Sequence, residues 1–486
     1  MNRKIYQLLL AIIAVASLAS CSGLKNPCTV NCGGGSGNSS LSITISDTPP
    51  ANTTILSFNL PVIGITLTPS SGSQVPVFSS NPSADFDLTR LQSDTNLITS
   101  NVTVAAGTYT AINVTVAAPN GVFVNSSGAT VGSCAVAGVC SLSGSAATIT
   151  YTFPTGSPLT LTSNSSQWVN LDFNYNNAIV TTNGIGIDVT QSNVLTASTT
   201  IPTNIPSGDV ANIDDFTGAI TALSSSSITV QSSVRGSLTA LIGSGIPVYD
   251  PPGQCTGGAS LSCIGVGSIV SVQSVLTNTG STNATSVDII DKSTSPADEV
   301  EGIIYPSSCN GGSNFGLILS DSTIFTSGSP LLNSIIGSGV CLSITQTTTY
   351  AIDTGILTNQ AGVPTSLGFS SSADLVAGQM VRAKITGAVT GTNGVNATAT
   401  AMILRFSRLS GTVNTVSGGV FSVTGLPTYL AINGSPQVYT YSNATILEGT
   451  SSLGSLAGEP VSFSALYLNP NAGVQYPFQA VKVRAQ

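Results

Sequence analysis

Short runs in which apolar and polar residues alternate fill most of the chain after residue 40. Four of them are Leu41–Ile45, Ile63–Leu67, Ile112–Val116 and Trp168–Phe173. Alternation with a period of two, in segments rich in β-branched residues and bounded by Pro, Gly and Asn, predicts half-buried β-strands. No window of helical length has a convincing period of 3.6 residues. The pattern therefore predicts an all-β protein that begins with an antiparallel β-sandwich over residues 41–190.

Recurring glycines mark an internal repeat after a Ser/Thr/Pro-rich linker at residues 191–212. Each unit has one glycine within its opening β-run and a second that leads a later strand: Gly218, Gly302 and Gly411, then Gly267, Gly378 and Gly458. Units of about 80 residues with roughly five strands suit a small closed or partly open barrel of OB-like type. Three such β-barrel-like repeats are predicted, over residues 213–293, 298–406 and 407–486.

The N-terminal segment has the features of an export signal. Arg3 and Lys4 precede an apolar run that is too short to span a bilayer comfortably. The run ends at Leu18–Cys21 (LASC), which resembles the lipobox of bacterial lipoproteins. The resemblance implies a signal peptide at residues 1–20 and acylation of Cys21, which would hold the protein on a membrane surface. The alternative is an ordinary cleaved signal followed by a free cysteine.

The segment after the predicted anchor, residues 21–40, is rich in Gly and Ser and is predicted to be a flexible tether. Ser22, rather than Asp, follows Cys21. By analogy with other lipoproteins, this favours the outer membrane over retention in the inner membrane. We therefore expect a lipid-anchored protein of the cell envelope, in the outer membrane or at the cell surface.

The other eight cysteines agree with export, because an even number in an oxidising compartment indicates disulfides. Nearest-neighbour pairing gives four bonds: Cys28–Cys32, Cys134–Cys140, Cys255–Cys263 and Cys309–Cys341. Spacing alone does not determine this connectivity. A metal site is the weaker alternative, since the chain has no His and no CxxC pair.

Two families of unknown function resemble parts of the chain. Ser46–Pro49, Phe86–Leu91 and Ala106–Ile112 resemble, in order, the recurring motifs of DUF4382, a domain found behind lipoboxes in environmental bacteria. This resemblance covers about residues 41–190 and implies a β-rich envelope domain with no known activity. The repeats resemble, through their glycine and valine spacing, the tandem domain DUF5666 of exported bacterial proteins.

Charged residues make up only 7% of the chain, so its polar surface must come from Ser, Thr, Asn and Gly. The formal net charge of −8 argues against nucleic acid as a partner. A small basic excess appears late in the chain, in Arg382, Lys384, Arg405, Arg408, Lys482 and Arg484. These side chains are predicted to face solvent and to protect strand edges, with a docking patch for acidic polymer or phosphate as the alternative.

The absence of His removes the usual acid–base and nucleophile pairs and most catalytic zinc sites. No phosphate-binding or dinucleotide-binding glycine motif is present either. The sequence therefore predicts a protein that is not an enzyme. Paired carboxylates are the one catalytic option that remains, because glycoside hydrolysis needs only two.

The carboxylate candidates are Asp85 and Asp87, Asp214 and Asp215, and the cluster of Asp298, Glu299 and Glu301. Asp85 and Asp87 would share one face of a strand, where nearby carbonyls could complete a Ca²⁺ site. Ca²⁺ is the one cofactor that the sequence leaves open. The other acids come just before repeat openings, and we predict that they are solvated linker residues.

Several single residues remain. Asp47 is predicted to make an Asx-type turn before the following prolines, with ligand binding as the alternative. Trp168 is predicted to be a core anchor. Tyr429, Tyr439 and Tyr441 form a local aromatic set that serves either strand packing or sugar stacking.

Together these features predict a membrane-anchored envelope lipoprotein with a non-catalytic binding, adhesive or structural role, which includes self-assembly into an extended surface structure. The expected partners are the membrane, through lipid on Cys21, and neutral glycans or other copies of the chain. The sequence does not indicate which residues would bind a ligand. The alternative is a carboxylate-based glycan-active enzyme or a carbohydrate-binding protein.

Overall fold

Nearly all the regular secondary structure of the computed structural model is β-strand, which confirms the all-β prediction. It describes residues 37–48, 55–125, 128–181, 185–305, 309, 314–325, 331, 336–388, 396–430 and 436–486. The predicted lipid anchor at Cys21, the predicted Cys28–Cys32 bond and Pro49 lie outside these residues. Within the described ranges no helix has the length and apolar character needed to cross a membrane.

The N-terminal unit is built from strands β1–β13. Their bounds are β1 (Asn38–Asp47), β2 (Ile55–Pro69), β3 (Val75–Asp87), β4 (Asn96–Ala105), β5 (Gly107–Val116), β6 (Asn120–Val124), β7 (Val139–Ser143), β8 (Ala147–Thr152), β9 (Leu159–Leu161), β10 (Ser166–Phe173), β11 (Ile179–Val180), β12 (Gly186–Ile187) and β13 (Leu195–Ser198). One helical turn, α1 (Tyr175–Ala178), follows β10.

Two sheets of this unit enclose one core. The first has the order β13-β10-β1-β4, and the second has the order β7-β6-β2-β5-β8, with β3 on β2 and β9 on β5. The apolar members of the alternating runs point inward, as Leu41, Ile43 and Ile45 do on β1. The first sheet is not purely antiparallel as predicted, because β1 runs parallel to β10.

The next strands form a ring. Their bounds are β14 (Asp209–Leu223), β15 (Ser227–Ser232), β16 (Gly236–Leu241), β17 (Val248–Tyr249), β18 (Ile269–Thr277) and β19 (Thr282–Asp291). Hydrogen bonding proceeds from β14 through β15, β16, β19 and β18 and back to β14, so the sheet closes on itself. We call this the first barrel.

Two more rings with the same pairing order follow, the second and third barrels. Their strands are β20 (Glu299–Tyr305), β21 (Asn314–Thr323), β22 (Gly339–Ile352), β23 (Met380–Ala388), β24 (Ala397–Ser417), β25 (Val420–Thr424), β26 (Gln437–Thr440), β27 (Ile446–Glu448), β28 (Pro460–Tyr467) and β29 (Phe478–Ala485). In the second, β20 pairs with β21 and β23, β22 with β21 and β24, and β23 with β24. In the third, β24, β25, β26, β29 and β28 close in the same way.

Strand β24 belongs to both the second and the third barrel. Its partner changes between Arg405, which is opposite Met380, and Phe406, which is opposite Leu466. The boundary predicted between residues 406 and 407 therefore falls inside one continuous strand. Short 3-10 helices complete the described elements: Leu88–Arg90, Leu261–Cys263, Gly355–Leu357, Ser372–Asp374, Thr428–Leu430, Leu453–Leu456 and Pro470–Ala472.

The recurring glycines have two separate structural causes. At Gly218, Gly302 and Gly411 an added Cβ would lie within 2.7 Å of a backbone oxygen of the neighbouring strand, closer than real Cβ atoms come. The second set, Gly267, Gly378 and Gly458, has φ values of +98°, +97° and +87°. Side chains are excluded from the first set by contact and from the second by backbone conformation.

Three of the predicted disulfides are formed, namely Cys134–Cys140, Cys255–Cys263 and Cys309–Cys341. Each closes a local loop, with the bonded cysteines separated by 6, 8 and 32 positions along the sequence.

Replacing a glycine of the first set should destabilise its barrel. A Cβ at Gly302 would lie 2.0 Å from the carbonyl oxygen of Ile318, so Gly302→Ala should lower the free energy of unfolding by about 1–3 kcal/mol. Urea denaturation followed by circular dichroism measures this. Gly454→Ala is the matched control, because no heavy atom lies within 4 Å of its added Cβ. Equal midpoints for the two variants would contradict the explanation.

Candidate functional site

The barrels and the sandwich meet at a buried group of opposite charges, which we call the ionic network. Its members are Arg90, Arg235, Arg382, Arg405 and Arg408, with Asp214, Asp215, Glu299, Glu301, Asp321 and Asp353. Every one of these side chains is at most 4% exposed. Buried charges are rare unless they are paired, so pairing must explain their presence here.

Arg90 connects three units of the fold. It ends the 3-10 helix that follows β3 of the sandwich. Its Nε donates to Asp214 of the first barrel at 3.0 Å, and its Nη2 donates to Asp215 at 3.2 Å. Its Nη1 donates to Glu301 of the second barrel at 2.5 Å. One guanidinium therefore holds the sandwich against two barrels.

Strand β24 supplies two further arginines to the network. Arg405 contacts Asp215 and Asp353, and Arg408 donates to Asp214 at 2.6 Å and also contacts Asp215. Asp214 and Asp215 thus meet arginines from the sandwich and from the strand shared by the second and third barrels. Their role is to join units, not to line a solvated linker.

Within the second barrel, Arg382 pairs with two acids of the network. Its Nε donates to Glu299 at 2.6 Å, and its Nη1 donates to Glu301 at 3.4 Å. Asp298 is also buried, and its Oδ1 accepts a hydrogen bond from the backbone of Phe325. The prediction of solvated linker acids was therefore wrong here too.

The prediction that the late basic residues face solvent was wrong for most of them. Arg382, Arg405, Arg408 and Lys482 have buried side chains, while the side chain of Lys384 is 36% exposed. Lys482 pairs with Asp94 of the sandwich at 2.6 Å and with Glu448 at 2.8 Å. Alternation places such residues on the outer face of a barrel, but it does not show that another unit covers that face.

Burial and pairing move the pKa values of the network in opposite directions. Burial alone would raise the pKa values of Asp214 and Glu301, but the surrounding arginines outweigh it and lower both to about 2. Burial dominates at Asp288, on the first barrel near Arg405, and raises its pKa to about 6. Both carboxylate oxygens of Asp288 are buried without a hydrogen-bond partner.

Asp85 and Asp87 lie on one face of β3, opposite Pro61 and Asn59. Oδ1 of Asp87 accepts from the backbone N–H groups of Phe58 and Thr89, so it caps the helix that carries Arg90. Burial raises the pKa of Asp87 to about 6. Among the described residues no group of three or more His, Cys, Asp and Glu could hold a metal ion. Ca²⁺ binding at this pair stays a prediction.

Asp47 lies within the sandwich, whereas Trp168 lies where the sandwich meets the first barrel. Asp47 is buried and accepts from the backbone of Tyr175 at 3.4 Å, and burial raises its pKa. Trp168 donates from Nε1 to Thr44 at 2.9 Å. Its indole packs in a small cluster with Ile213 and other residues of the first barrel, so it anchors the interface between units rather than the sandwich core.

The predicted tyrosine set divides into two parts. Tyr439 and Tyr441 lie with Tyr476 in a cavity of about 370 Å³, which we call the tyrosine cleft. Tyr429 lines a different, small cavity beside Met380 and Arg408. Tyr476 was missed, because it is separated along the chain and joins the others only through the parallel pairing of β26 with β29.

The tyrosine cleft is formed where the second barrel meets the third. Its other walls come from residues 361–367 of the second barrel and from Val474, Gln475 and Gln479 of the third. None of the described residues that line it carries a charge. A second cavity, of about 400 Å³, is different: Glu299, Arg382 and Lys384 line it, and these charges are already paired.

A comparison with protein families gives a match for the N-terminal unit. Residues 38–190 match the family "Domain of unknown function (DUF4382)". The predicted resemblance of this part of the chain is thereby confirmed. No curated protein matches the chain. Among solved structures, one entitled "drosophila Unr CSD456" is similar over 56% of this chain and 97% of its own, at 11% identity and a TM-score of 0.13, which supports no argument about this chain.

Removing Arg90 should loosen the junction of the units. Arg90→Met leaves buried carboxylates without their shared cation, so we expect the free energy of unfolding to fall by about 3–5 kcal/mol. Chemical denaturation measures this, and Lys292→Met is the control because Lys292 is exposed. A loss below about 1 kcal/mol for Arg90→Met would show that the network contributes little.

The raised pKa values predict greater stability under mildly acidic conditions. Asp87 and Asp288 have folded pKa values of about 6, above the unfolded value of about 4, so their contribution is complete below pH 4 and is lost as the pH rises through 6. The contribution of Asp214 and Glu301 has the opposite sign and is lost only as the pH falls from about 4 towards 2. The free energy of unfolding should therefore peak near pH 4–5 and decrease towards pH 7.5, by about 2–3 kcal/mol for each raised group.

Unfolding curves recorded from pH 3 to pH 8 check this dependence. Asp288→Asn removes one titrating group, so it should flatten the decrease between pH 5 and pH 7. Stability that rises steadily from pH 4 to pH 8 would contradict the assignment.

Proposed function

We propose that this protein is a membrane-anchored lipoprotein of the cell envelope, with a non-catalytic binding or structural role carried out by one rigid β-body. The observation that carries the proposal is the ionic network, in which Arg90, Asp214 and Glu301 link the sandwich to two barrels. Units that are joined through buried charges cannot separate without leaving a charge uncompensated. A rigid body of this kind can extend from a membrane and present a fixed surface to a partner.

The anchor comes from the sequence. Cys21 follows a lipobox-like segment, and a Gly/Ser-rich stretch separates it from the first strand at Asn38. Lipid on Cys21 would place the folded body close to a membrane, and the tether would let it reorient there. The likeness of the barrels to DUF5666 remains part of this proposal.

The positions of the carboxylates favour a non-catalytic role. A glycoside hydrolase needs two acids about 5–10 Å apart that both reach the substrate. Asp214, Asp215, Glu299 and Glu301 are instead buried and bonded to arginines. A carbohydrate-binding protein is the better alternative, because the tyrosine cleft offers aromatic and amide groups without a charge.

The anchor is tested by Cys21→Ser in the full-length chain. The unchanged protein should incorporate labelled palmitate and remain with membranes after a high-salt wash, because several acyl chains hold it there. The variant should incorporate no label and leave the membrane fraction. Equal membrane retention without label in the unchanged protein would contradict the lipoprotein proposal.

The binding or structural role is tested on the soluble ectodomain, residues 22–486. Glycan-array binding and sedimentation velocity at micromolar concentration measure the two expected kinds of partner. At least one of them should give a positive result. A chain that stays monomeric and binds no glycan would overturn the proposed role, whatever the result for the anchor.

A further inference from the structure

We propose that the tyrosine cleft is a binding site for an uncharged saccharide. This inference rests on the proposed binding function and names the ligand class and the residues that would contact it. The site is defined by Tyr439, Tyr441 and Tyr476, with Gln475 and Gln479 beside them.

The cavity has a suitable size and position. Its volume of about 370 Å³ lies within the range of small-ligand sites, roughly 300–1,000 Å³. It opens where residues 361–367 of the second barrel face the aromatic side of the third. Strand β24 runs through both barrels, so the two walls are joined by continuous backbone.

The three aromatic rings support one another. The rings of Tyr439 and Tyr476 are stacked, with centroids 5.1 Å apart and an interplanar angle of 20°. Tyr441 meets Tyr439 edge-on at 4.7 Å. Tyr439 and Tyr476 are half-buried, so part of their surface faces the cleft. Rings that are already fixed lose little conformational entropy when a flat, apolar sugar face packs on them.

Hydrogen bonds fix the polar groups beside these rings. Tyr441 Oη donates to Gln479 Oε1 at 2.6 Å, and Gln479 Nε2 donates to the backbone oxygen of Tyr476, also at 2.6 Å. Gln475 is exposed, and its Nε2 donates to Tyr476 Oη at 3.1 Å. Amide and phenol groups both donate and accept, which matches the hydroxyl groups of a sugar.

The lack of charge narrows the ligand class. No Asp, Glu, Lys or Arg is among the described residues that line the cleft. Nucleic acids and anionic polysaccharides are held largely by Lys and Arg, so this site does not suit them. A purely apolar ligand would cover the exposed Gln475 amide without offering it a hydrogen bond. A neutral saccharide uses both the rings and the amides.

The lining of the cleft also includes an exposed apolar residue. Leu367 is 50% exposed and lines the cleft together with Val363 and Val474. A large aliphatic side chain next to aromatic rings and amides gives the mixed surface that saccharide sites use, with contact area from apolar groups and direction from polar ones.

The test uses the soluble ectodomain and isothermal titration with neutral glucan, mannan, galactan and N-acetylglucosamine hexasaccharides. The unchanged protein should bind at least one of them, and Tyr439→Ala and Tyr476→Ala should each weaken binding about tenfold or more. Tyr439→Phe should retain most of the affinity, because it keeps the ring. Tyr151→Ala is the matched control, since it removes a half-buried tyrosine of the sandwich.

Circular dichroism melting of every variant separates loss of binding from loss of folding, and Tyr439→Phe gives a second measure if an alanine variant unfolds. Saccharide binding that neither alanine variant weakens would overturn the site but leave the proposed function standing. An anionic polysaccharide and a fatty acid, titrated in the same way, test the ligand class. Binding of the polysaccharide that decreases steeply with salt, or binding of the fatty acid alone, would overturn that class. A chain that binds none of these probes overturns the inference, and if it is also monomeric the proposed function fails with it.

Discussion

The structure depends on a set of ion pairs that almost no solvent reaches. Nine cations lie in the described part of the chain, and six of them, Arg90, Arg235, Arg382, Arg405, Arg408 and Lys482, have side chains no more than 6% exposed. A chain with only 7% charged residues thus buries most of the positive charge in its described part. Removing paired charges from water gains little net stability, but it makes any arrangement that separates them costly. The network therefore determines how the units sit together more than how stable each one is.

The tyrosine cleft, the proposed saccharide site, also depends on how two of the units sit together. The tyrosine cleft has one side on the second barrel and one on the third, so its shape depends on their relative orientation. Strand β24, which serves both barrels, holds that orientation, and the contacts of Arg405 and Arg408 with Asp215 fix the same strand against the first barrel. The apolar core of the second barrel also continues into the third, through Leu466 and Val481. A binding site between two units keeps its shape only if the two units do not move relative to one another.

Local physics made much of the fold predictable. Alternation in runs such as Leu41–Ile45 predicts strands, because the side-chain period of a strand is two. The recurring glycines predict a repeat, and the structure shows why they recur: Gly302 meets a backbone oxygen, and Gly378 has a positive φ. Each of these signals acts within one strand or between neighbouring strands.

The ionic network has no local signal of this kind. Arg90 and Glu301 are 211 residues apart, and alternation assigns a residue to a face without showing what covers that face. Two hints were present in the sequence. Arg90 is the only cation between Lys25 and Arg235, and acids recur in the opening strand of two repeats, as Asp214 and Glu301 do. For the tyrosine cleft, Tyr439 and Tyr441 were identifiable from the sequence, but Tyr476 needed the pairing of β26 with β29.

Differential scanning calorimetry of the soluble ectodomain tests the central claim most directly. If the ionic network makes the sandwich and the barrels one body, the ectodomain should unfold in a single transition whose calorimetric and van't Hoff enthalpies agree. Two or more separate transitions, each with the enthalpy of one unit, would contradict this account and show that the units are independent domains on a string.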